Sequence, residues 1–199
     1  MAQLLNQTID QRIVFHDRTW EQFKLIQLGF EGSPGVRLFY YKNTIEILMP
    51  GVDHEFFKTI IGFLIELFLV EKGIEFIPTG SMTQERQGTA SAQADESYWV
   101  GQKRLVPDLS IEVVFTSGGS HKLERYKALA VPEVWFWEDG LFALHHLREH
   151  SSERIYRSEL PGLTDLDIDL LSRCVLIAQT SRVEAVREFR QAIINTEQN

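Results

Sequence analysis

Three acidic residues in the middle of the chain have the types and spacing that metal-dependent chemistry needs. Asp95, Asp108 and Glu112 fall on two predicted strands joined by a turn-rich connection. If that turn centres on residues 102–103, Asp95 lies opposite Ser110, and Glu112 is its diagonal neighbour on the same face, about 7–8 Å away. Two carboxylates at that separation can share one cation. A one-residue change of register would move Asp95 to the other face.

Asp108 is a weaker candidate than the other two acids. It lies four residues from Glu112 on one strand, which is roughly 13 Å, too far for both side chains to bind one ion easily. It is therefore an accessory candidate only. The alternative interpretation is that Asp95 and Asp108 are ordinary acids that flank a turn or lie on an edge strand.

The ligand types indicate which metal such a site would hold. The candidate ligands are carboxylates, with no cysteine among them and no clear histidine pair. Hard oxygen ligands suit Mg²⁺ or Mn²⁺ better than zinc. We therefore expect a catalytic Mg²⁺ or Mn²⁺ held by Asp95 and Glu112.

Two basic side chains could complete the site. Lys122 falls in the first turn of a predicted helix, where the helix dipole disfavours a cation unless carboxylates lie in front of it. Its alternative is an exposed surface lysine, and Tyr126, four residues on, is interpreted as a core residue. His54 begins a long predicted helix and is a candidate ligand or proton carrier, with an ordinary surface histidine as the alternative.

The elements that must position these residues indicate an α/β (α+β) chain, in which a mixed sheet packs against helices. Helices are predicted from apolar spacing and caps, and strands from alternation and turns. The stretch from Thr79 to Gln93 has no clear period. The predicted helices are Thr19–Leu28, Asp53–Gly73, one that ends before Pro132, and 182–194. The predicted strands are two within Gly35–Met49 joined at Lys42-Asn43, then Ile74–Pro78, Asp95–Val100, Leu105–Phe115, Val134–Trp137 and Leu141–Arg148, the last two joined by a turn at Asp139-Gly140. A break at residues 116–120 follows Leu105–Phe115.

Composition sets limits on domain number and on function. The 199 residues, 44% of them hydrophobic and 24% charged, suit one domain over residues 1–199, with a core from about 20 to 171. The net charge of −8 argues against a non-specific nucleic-acid binder, which needs an excess of Lys and Arg. A single cysteine, no apparent leader and no apolar run long enough to cross a bilayer predict a cytoplasmic protein without membrane contact.

Several motifs together resemble the Uma-type restriction endonuclease family, a branch of the PD-(D/E)XK nuclease superfamily that is abundant in cyanobacteria. The resemblance covers most of the chain, from about Trp20 to Leu171, and its second half is the more specific. The matching segments are Ile45–Pro50 with His54 beyond it, Pro107–Val113, Thr116-Ser117, Lys122-Leu123, Tyr126, Val131–Trp135 and Pro161–Leu163.

This resemblance implies a restriction-endonuclease-like fold, a mixed β-sheet core flanked by helices. It implies that Asp95 and Glu112 bind the metal and that Lys122 is the catalytic lysine, supplied from the following helix because Val114 occupies the usual position. It also implies DNA as substrate. Ala94 replaces the proline that the family has before its aspartate.

Three functions stay open on these grounds. The first is a metal-dependent endonuclease that hydrolyses DNA phosphodiester bonds, for which a homodimer is a natural state because double-strand cutting commonly needs two sites. The second is a catalytically inactive scaffold of the same fold that acts by dimerisation or partner binding. The third is a phosphohydrolase that acts on small nucleotides.

Overall fold

A computed structural model describes residues 9–115, 119–148 and 151–197 of the chain. Within those residues it forms five helices and two sheets, about 34% helix and 31% strand, which confirms the mixed α/β class. The single predicted mixed sheet is replaced by two. Of the predicted break at residues 116–120, residues 116–118 lie outside the described residues.

The helices and strands follow one another along the whole described chain. The helices are α1 (Trp20–Gly29), α2 (Val52–Glu71), α3 (Gly119–Ala128), α4 (Ile168–Ile177) and α5 (Arg182–Glu197). The strands are β1 (Gln11–Phe15), β2 (Arg37–Tyr41), β3 (Thr44–Met49), β4 (Phe76–Pro78), β5 (Thr83–Arg86), β6 (Ala90–Gln93), β7 (Glu96–Val100), β8 (Leu109–Val114), β9 (Glu133–Glu138), β10 (Leu141–Leu147) and β11 (Ser152–Ile155).

The first sheet is antiparallel and has the order β1-β3-β2-β6-β5. Its central hairpin turns at Lys42 and Asn43, as predicted, and both residues have positive φ, 44° and 55°. Two such residues in succession are the signature of a tight type I′ hairpin turn. Helix α1 also begins as predicted, because the Thr19 hydroxyl and the Gln22 side chain cap each other's backbone N–H groups.

The second sheet has the order β11-β10-β9-β8-β7-β4. Its pairs are antiparallel except β8 with β9, which are parallel. A parallel pair needs a crossover connection, and α3 lies within it. The antiparallel pair β9 and β10 needs only a tight turn, in which Asp139 and Gly140 both have positive φ, 51° and 81°.

The chain passes from the first sheet to the second at Ala94 and Asp95, between β6 and β7. Strand β6 pairs with β2 and β5, and two residues later β7 pairs with β8 and β4. Asp95 therefore lies at a corner shared by both sheets. That corner brings elements of the N-terminal half of the chain next to β8.

Three groups of buried apolar residues hold these layers together. The largest packs α2, α4 and α5 against one face of the second sheet, with Trp135 and Phe189 fully buried. A second joins both sheets to α3 and includes Phe39, Val134 and Tyr126. A third packs α1 on the first sheet. No helix in the described part of the chain is long and apolar enough to span a membrane.

Some predicted elements differ from those observed. The stretch Thr79–Gln93, which has no clear period, contains β5 and β6. Helix α2 is capped by the Gly51 backbone, without a side-chain cap, and Asp53 lies in its first turn. Strand β8 begins at Leu109, later than the predicted Leu105, because residues 101–108 form a longer connection.

Candidate active site

Asp95 lies beside the part of β8 that carries Glu112. Its backbone N–H donates to the Ile111 carbonyl oxygen at 3.0 Å, and its Oδ2 accepts the Val113 N–H at 2.6 Å. Asp95 thus binds the residues on both sides of Glu112. Ile111 also pairs with Glu96, so the successive residues Asp95 and Glu96 both lie opposite Ile111, as in a β-bulge.

The predicted register of this strand pair is shifted by two residues. Ser110 pairs with Ser97, and not with Asp95 as the turn position predicted. The error arises because the turn was placed at residues 102–103, whereas the connection runs from 101 to 108. Both acids are nevertheless buried, each 1% exposed.

The Asp95 carboxylate is surrounded by cationic or hydrogen-bonding groups from other elements. Its Oδ1 forms an ion pair with Arg37 of β2 and lies 2.8 Å from Nε2 of His54. Arg37 also binds Glu55 at 2.6 Å. These contacts fix the carboxylate at the corner between the two sheets.

His54 lies between two carboxylates. Its Nδ1 is 2.8 Å from Oδ2 of Asp10, whose other oxygen accepts the Gly51 N–H at 2.8 Å. A neutral imidazole can donate to only one of Asp10 and Asp95, and an imidazolium can donate to both. His54 is almost fully buried, so the surface-histidine alternative is wrong.

Glu112 has its own set of partners, all from α3. Lys122 Nζ donates to Oε2 at 2.8 Å, and the Tyr126 hydroxyl donates a short hydrogen bond to Oε1. Lys122 is only 8% exposed, so it is not an exposed surface lysine. A carboxylate does lie in front of it, as its position in the helix predicted. Tyr126 is a buried residue, as expected, but its hydroxyl also serves the site.

The electrostatics of Glu112 follow from this arrangement. Burial acts to raise the pKa of Glu112, but the nearby Lys122 and Arg125 charges and the two hydrogen bonds outweigh it and lower the pKa. Burial, reinforced by the Glu112 charge, raises the pKa of Tyr126. Glu112 is therefore held ionised and Tyr126 is held as a hydrogen-bond donor.

The charged residues around Asp95 and those around Glu112 form one cluster. The Lys122 ammonium that pairs with Glu112 also helps to lower the pKa of Asp10, where burial is opposed mainly by the His54 hydrogen bond. Arg37, the partner of Asp95, acts to lower the pKa of Tyr126, although burial dominates and raises it. The predicted catalytic residues Asp95, Glu112 and Lys122 and the accessory His54 are thus brought together.

Asp108 lies apart from this cluster. It precedes β8, at the end of the strand remote from Glu112, and its Oδ2 accepts the Val100 N–H at 3.0 Å. Its Oδ1 pairs with Arg104 at 2.9 Å. These contacts close the connection between β7 and β8, so the structure gives Asp108 a role in that loop.

Arg37 and Asp10 are residues of this cluster that no sequence motif indicates. Arg37 opens an apolar strand and Asp10 precedes β1, and neither belongs to a motif with Asp95. One local signal was present in α3, where Lys122 and Tyr126 are four residues apart and so share a face.

The donor set fits the expected ion. Mg²⁺ is usually bound by one or two carboxylates, and it keeps water or substrate phosphate oxygens as its other ligands. Asp95 and Glu112 are two buried carboxylates of this kind. In the described residues there is no group of three or more acidic, histidine or cysteine side chains that could hold a metal ion.

The chain matches no protein-family model, and no curated protein is significantly similar to it.

Proposed function

We propose that this protein is a Mg²⁺- or Mn²⁺-dependent endonuclease that hydrolyses DNA phosphodiester bonds at the Asp95–Glu112 site, on a restriction-endonuclease-like fold. One observation carries the proposal. Lys122, from a separate helix, places its ammonium 2.8 Å from Glu112, and Asp95 binds the backbone on both sides of Glu112. Two acids and a lysine on adjoining elements form a set suited to phosphoryl chemistry.

The reaction adds water across the phosphodiester. A new P–O bond forms to the water oxygen, one ester P–O bond breaks, and the leaving oxygen takes up a proton, which gives a phosphomonoester and a hydroxyl. Asp95 and Glu112 would hold the cation, which lowers the pKa of bound water and stabilises charge on the phosphoryl oxygens. Lys122 orients the attacking water or offsets negative charge at the phosphate.

The other residues keep these groups in place. Arg37 and His54 hold Asp95, while Tyr126 holds the second oxygen of Glu112. Asp10 in turn holds His54 through Nδ1. Rigid support of this kind matters because a shift of about 1 Å in a catalytic group can cost about 100-fold in rate.

The test compares Glu112→Gln with Glu138→Gln, in which the same substitution is made at an exposed position of the neighbouring strand β9. Supercoiled plasmid and short duplexes are incubated with Mg²⁺, Mn²⁺ or a chelator. We expect metal-dependent nicking by the wild type and by Glu138→Gln, and at least about a 100-fold loss in Glu112→Gln. Asp95→Asn, checked for folding by circular dichroism, provides a second loss-of-function variant.

A specific observation favours a second candidate, the inactive scaffold. Each buried carboxylate of the site already has a cationic partner, Arg37 for Asp95 and Lys122 for Glu112. A site neutralised in this way can be purely structural. Failure of folded wild-type protein to nick DNA or to bind either metal would leave the scaffold, acting as a homodimer or with another partner, as the better description.

A further inference from the structure

A cavity of about 300 Å³ lies on the first sheet, and its lining residue Arg125 belongs to α3, the helix that carries Lys122 and Tyr126. That volume is at the lower end of the range for small-molecule sites. It lies against the β2–β3 turn, β1 and α3. Its lining residues are Arg12, Val14, His16, Tyr41, Lys42, Thr44, Glu46 and Arg125.

The charges around this cavity are opposite in sign to those of the chain. Arg12, Lys42 and Arg125 contribute three positive charges, and Glu46 contributes the one negative charge, which leaves a formal excess of +2 with His16 neutral. The whole chain carries −8. A local cationic cavity in an acidic protein is suited to an anionic ligand.

Glu46 is already committed to two of these cations. Its carboxylate accepts from Arg12 at 2.7 Å and from Arg125 at 3.3 Å. Burial acts to raise the pKa of Glu46, but Arg125, Arg12 and Lys122 outweigh it and lower the pKa, so Glu46 is held ionised. It positions the two guanidinium groups without cancelling their combined charge.

Arg125 has unused hydrogen-bonding capacity. It is 4% exposed, stacks 4.1 Å from the Phe39 ring centre and lines the cavity, yet its Nε and Nη2 have no hydrogen-bond partner among the described residues. Buried donors without partners are rare and costly in folded proteins, and a bound ion or water is a common explanation. Both nitrogens are themselves buried, so the Arg125 side chain must shift towards the cavity before they can donate to an anionic ligand there.

Helix α3 connects this cavity to the candidate active site. Lys122 and Tyr126 bind Glu112, and Arg125 lies between them in sequence and reaches Glu46. We infer that the Arg12–Lys42–Arg125 cavity is a phosphate subsite that binds a backbone phosphate of a nucleic-acid strand next to the bond that is cut. The inference rests on the proposed function for the identity of the strand, but not for phosphate binding itself.

The test is calorimetric titration of metal-free Glu112→Gln protein, which cannot cut its ligand, with two probes. One probe is pyrophosphate and the other is a twelve-nucleotide single-stranded oligodeoxynucleotide. The variants Lys42→Gln and Arg12→Gln are compared with Lys103→Gln, an exposed lysine on the β7–β8 connection. We expect both probes to bind, with affinity about tenfold weaker in Lys42→Gln and Arg12→Gln and unchanged in Lys103→Gln.

Two other results would overturn the inference in whole or in part, and a third would separate it from the proposed function. Equal affinity in Lys42→Gln and the parent protein, or an equal loss in Lys103→Gln, would show that binding does not use this cavity. Binding of pyrophosphate without the oligonucleotide would assign the cavity to free phosphates or small nucleotides instead of a strand. If the wild type cuts no DNA but the expected binding pattern is found, the endonuclease proposal fails and the phosphate site stands.

Discussion

The hydroxyl of Tyr126 affects the pKa of a buried acid, Glu112. Its hydrogen bond to Glu112 is one of the interactions that lower the pKa of that carboxyl against the effect of burial. Under the proposed function Tyr126 would be a positioning residue, since its hydroxyl contacts Glu112. Its effect on a reaction should therefore appear as a change in pH dependence.

In Tyr126→Phe, the pKa of Glu112 rises because one stabilising donor to the carboxylate is lost. If Glu112 holds a cation as proposed, it must be ionised to do so, and we expect the acidic limb of the cleavage profile to move to higher pH. Independently of activity, stability at pH 7 should fall by about 1.5–3 kcal/mol. Cleavage-rate profiles and urea unfolding measure the two effects. Tyr40→Phe, which removes a 3.1 Å hydrogen bond to Asn43, is the control and should leave the profile in place.

The contribution of Glu96 to stability depends on pH in the opposite direction to that of Glu112, because its pKa is raised and that of Glu112 is lowered. Burial raises its pKa to about 7 in the folded protein, despite the nearby Lys58. Between about pH 4.5 and 7 the folded state keeps a proton that the unfolded state has lost, so stability falls as pH rises through this window. Below about pH 4.5 Glu96 is protonated in both the folded and the unfolded state, and it then has no effect on the pH dependence of stability.

We therefore expect Glu96→Gln to be neutral near pH 4 and to stabilise the protein at pH 8 by on the order of 2–3 kcal/mol. Urea unfolding at both pH values measures the difference. Glu138→Gln, at an exposed position, should show no comparable change with pH. An equal effect of Glu96→Gln at both values would contradict the assignment of the penalty to ionisation.

At the scale of the elements, α2 packs closely on β7 through Gly62. A Cβ atom at this position would lie 3.1 Å from the Tyr98 hydroxyl and 3.4 Å from Glu96 side-chain carbons. Tyr98 is fully buried and its hydroxyl donates to Glu66 at 3.4 Å, so it has little room to move. The glycine sets how near the helix comes to the strand.

Gly62→Ala should gain about 1 kcal/mol from helix propensity and lose more from this close contact. We expect a net loss of stability in the wild-type background and a gain when Tyr98→Phe removes the hydroxyl. Denaturant unfolding of the two single variants and the double variant measures the coupling. A stabilising Gly62→Ala in the wild-type background would mean that the strand accommodates the methyl group.

Local patterns predicted the elements whose signals lie within one segment. The capped helix α1, the Lys42-Asn43 turn and the β9–β10 hairpin are of this kind. Strands β5 and β6 could not be predicted, because they are four residues long and the pairing of β6 with β2 is decided by residues distant in the sequence. The same limit applies to the site, where Arg37 reaches Asp95 directly and Asp10 reaches it through His54 only because the chain changes sheets there.

At the scale of the whole molecule, the net charge of −8 and the cationic cavity act in opposite directions on a nucleic acid. Repulsion between the acidic surface and DNA extends over about 10 Å at 0.1 M salt, because dissolved ions screen it beyond that distance. Attraction is confined to the few cations that face the cavity and the site. Binding should therefore involve few phosphates.

We expect the logarithm of the DNA-binding constant to fall with the logarithm of salt concentration with a slope between about −1 and −3, as for one to three phosphate contacts. Fluorescence anisotropy of uncut DNA with Glu112→Gln protein measures the slope. Lys42→Gln should reduce its magnitude by about 1. A slope steeper than about −6 would require an extensive basic surface in place of a local subsite.

The turn that carries Lys42 has a consequence for how this protein could be engineered. Lys42 has a φ of 44°, a conformation in which asparagine or glycine is favoured over lysine. A stability screen that reads only melting temperature would thus reward Lys42→Asn or Lys42→Gly, and would at the same time remove a cation from the rim of the cavity. Variants selected for thermal stability without a ligand should therefore bind phosphate more weakly. The substitutions at Lys42 that raise stability would be the same ones that lower phosphate affinity.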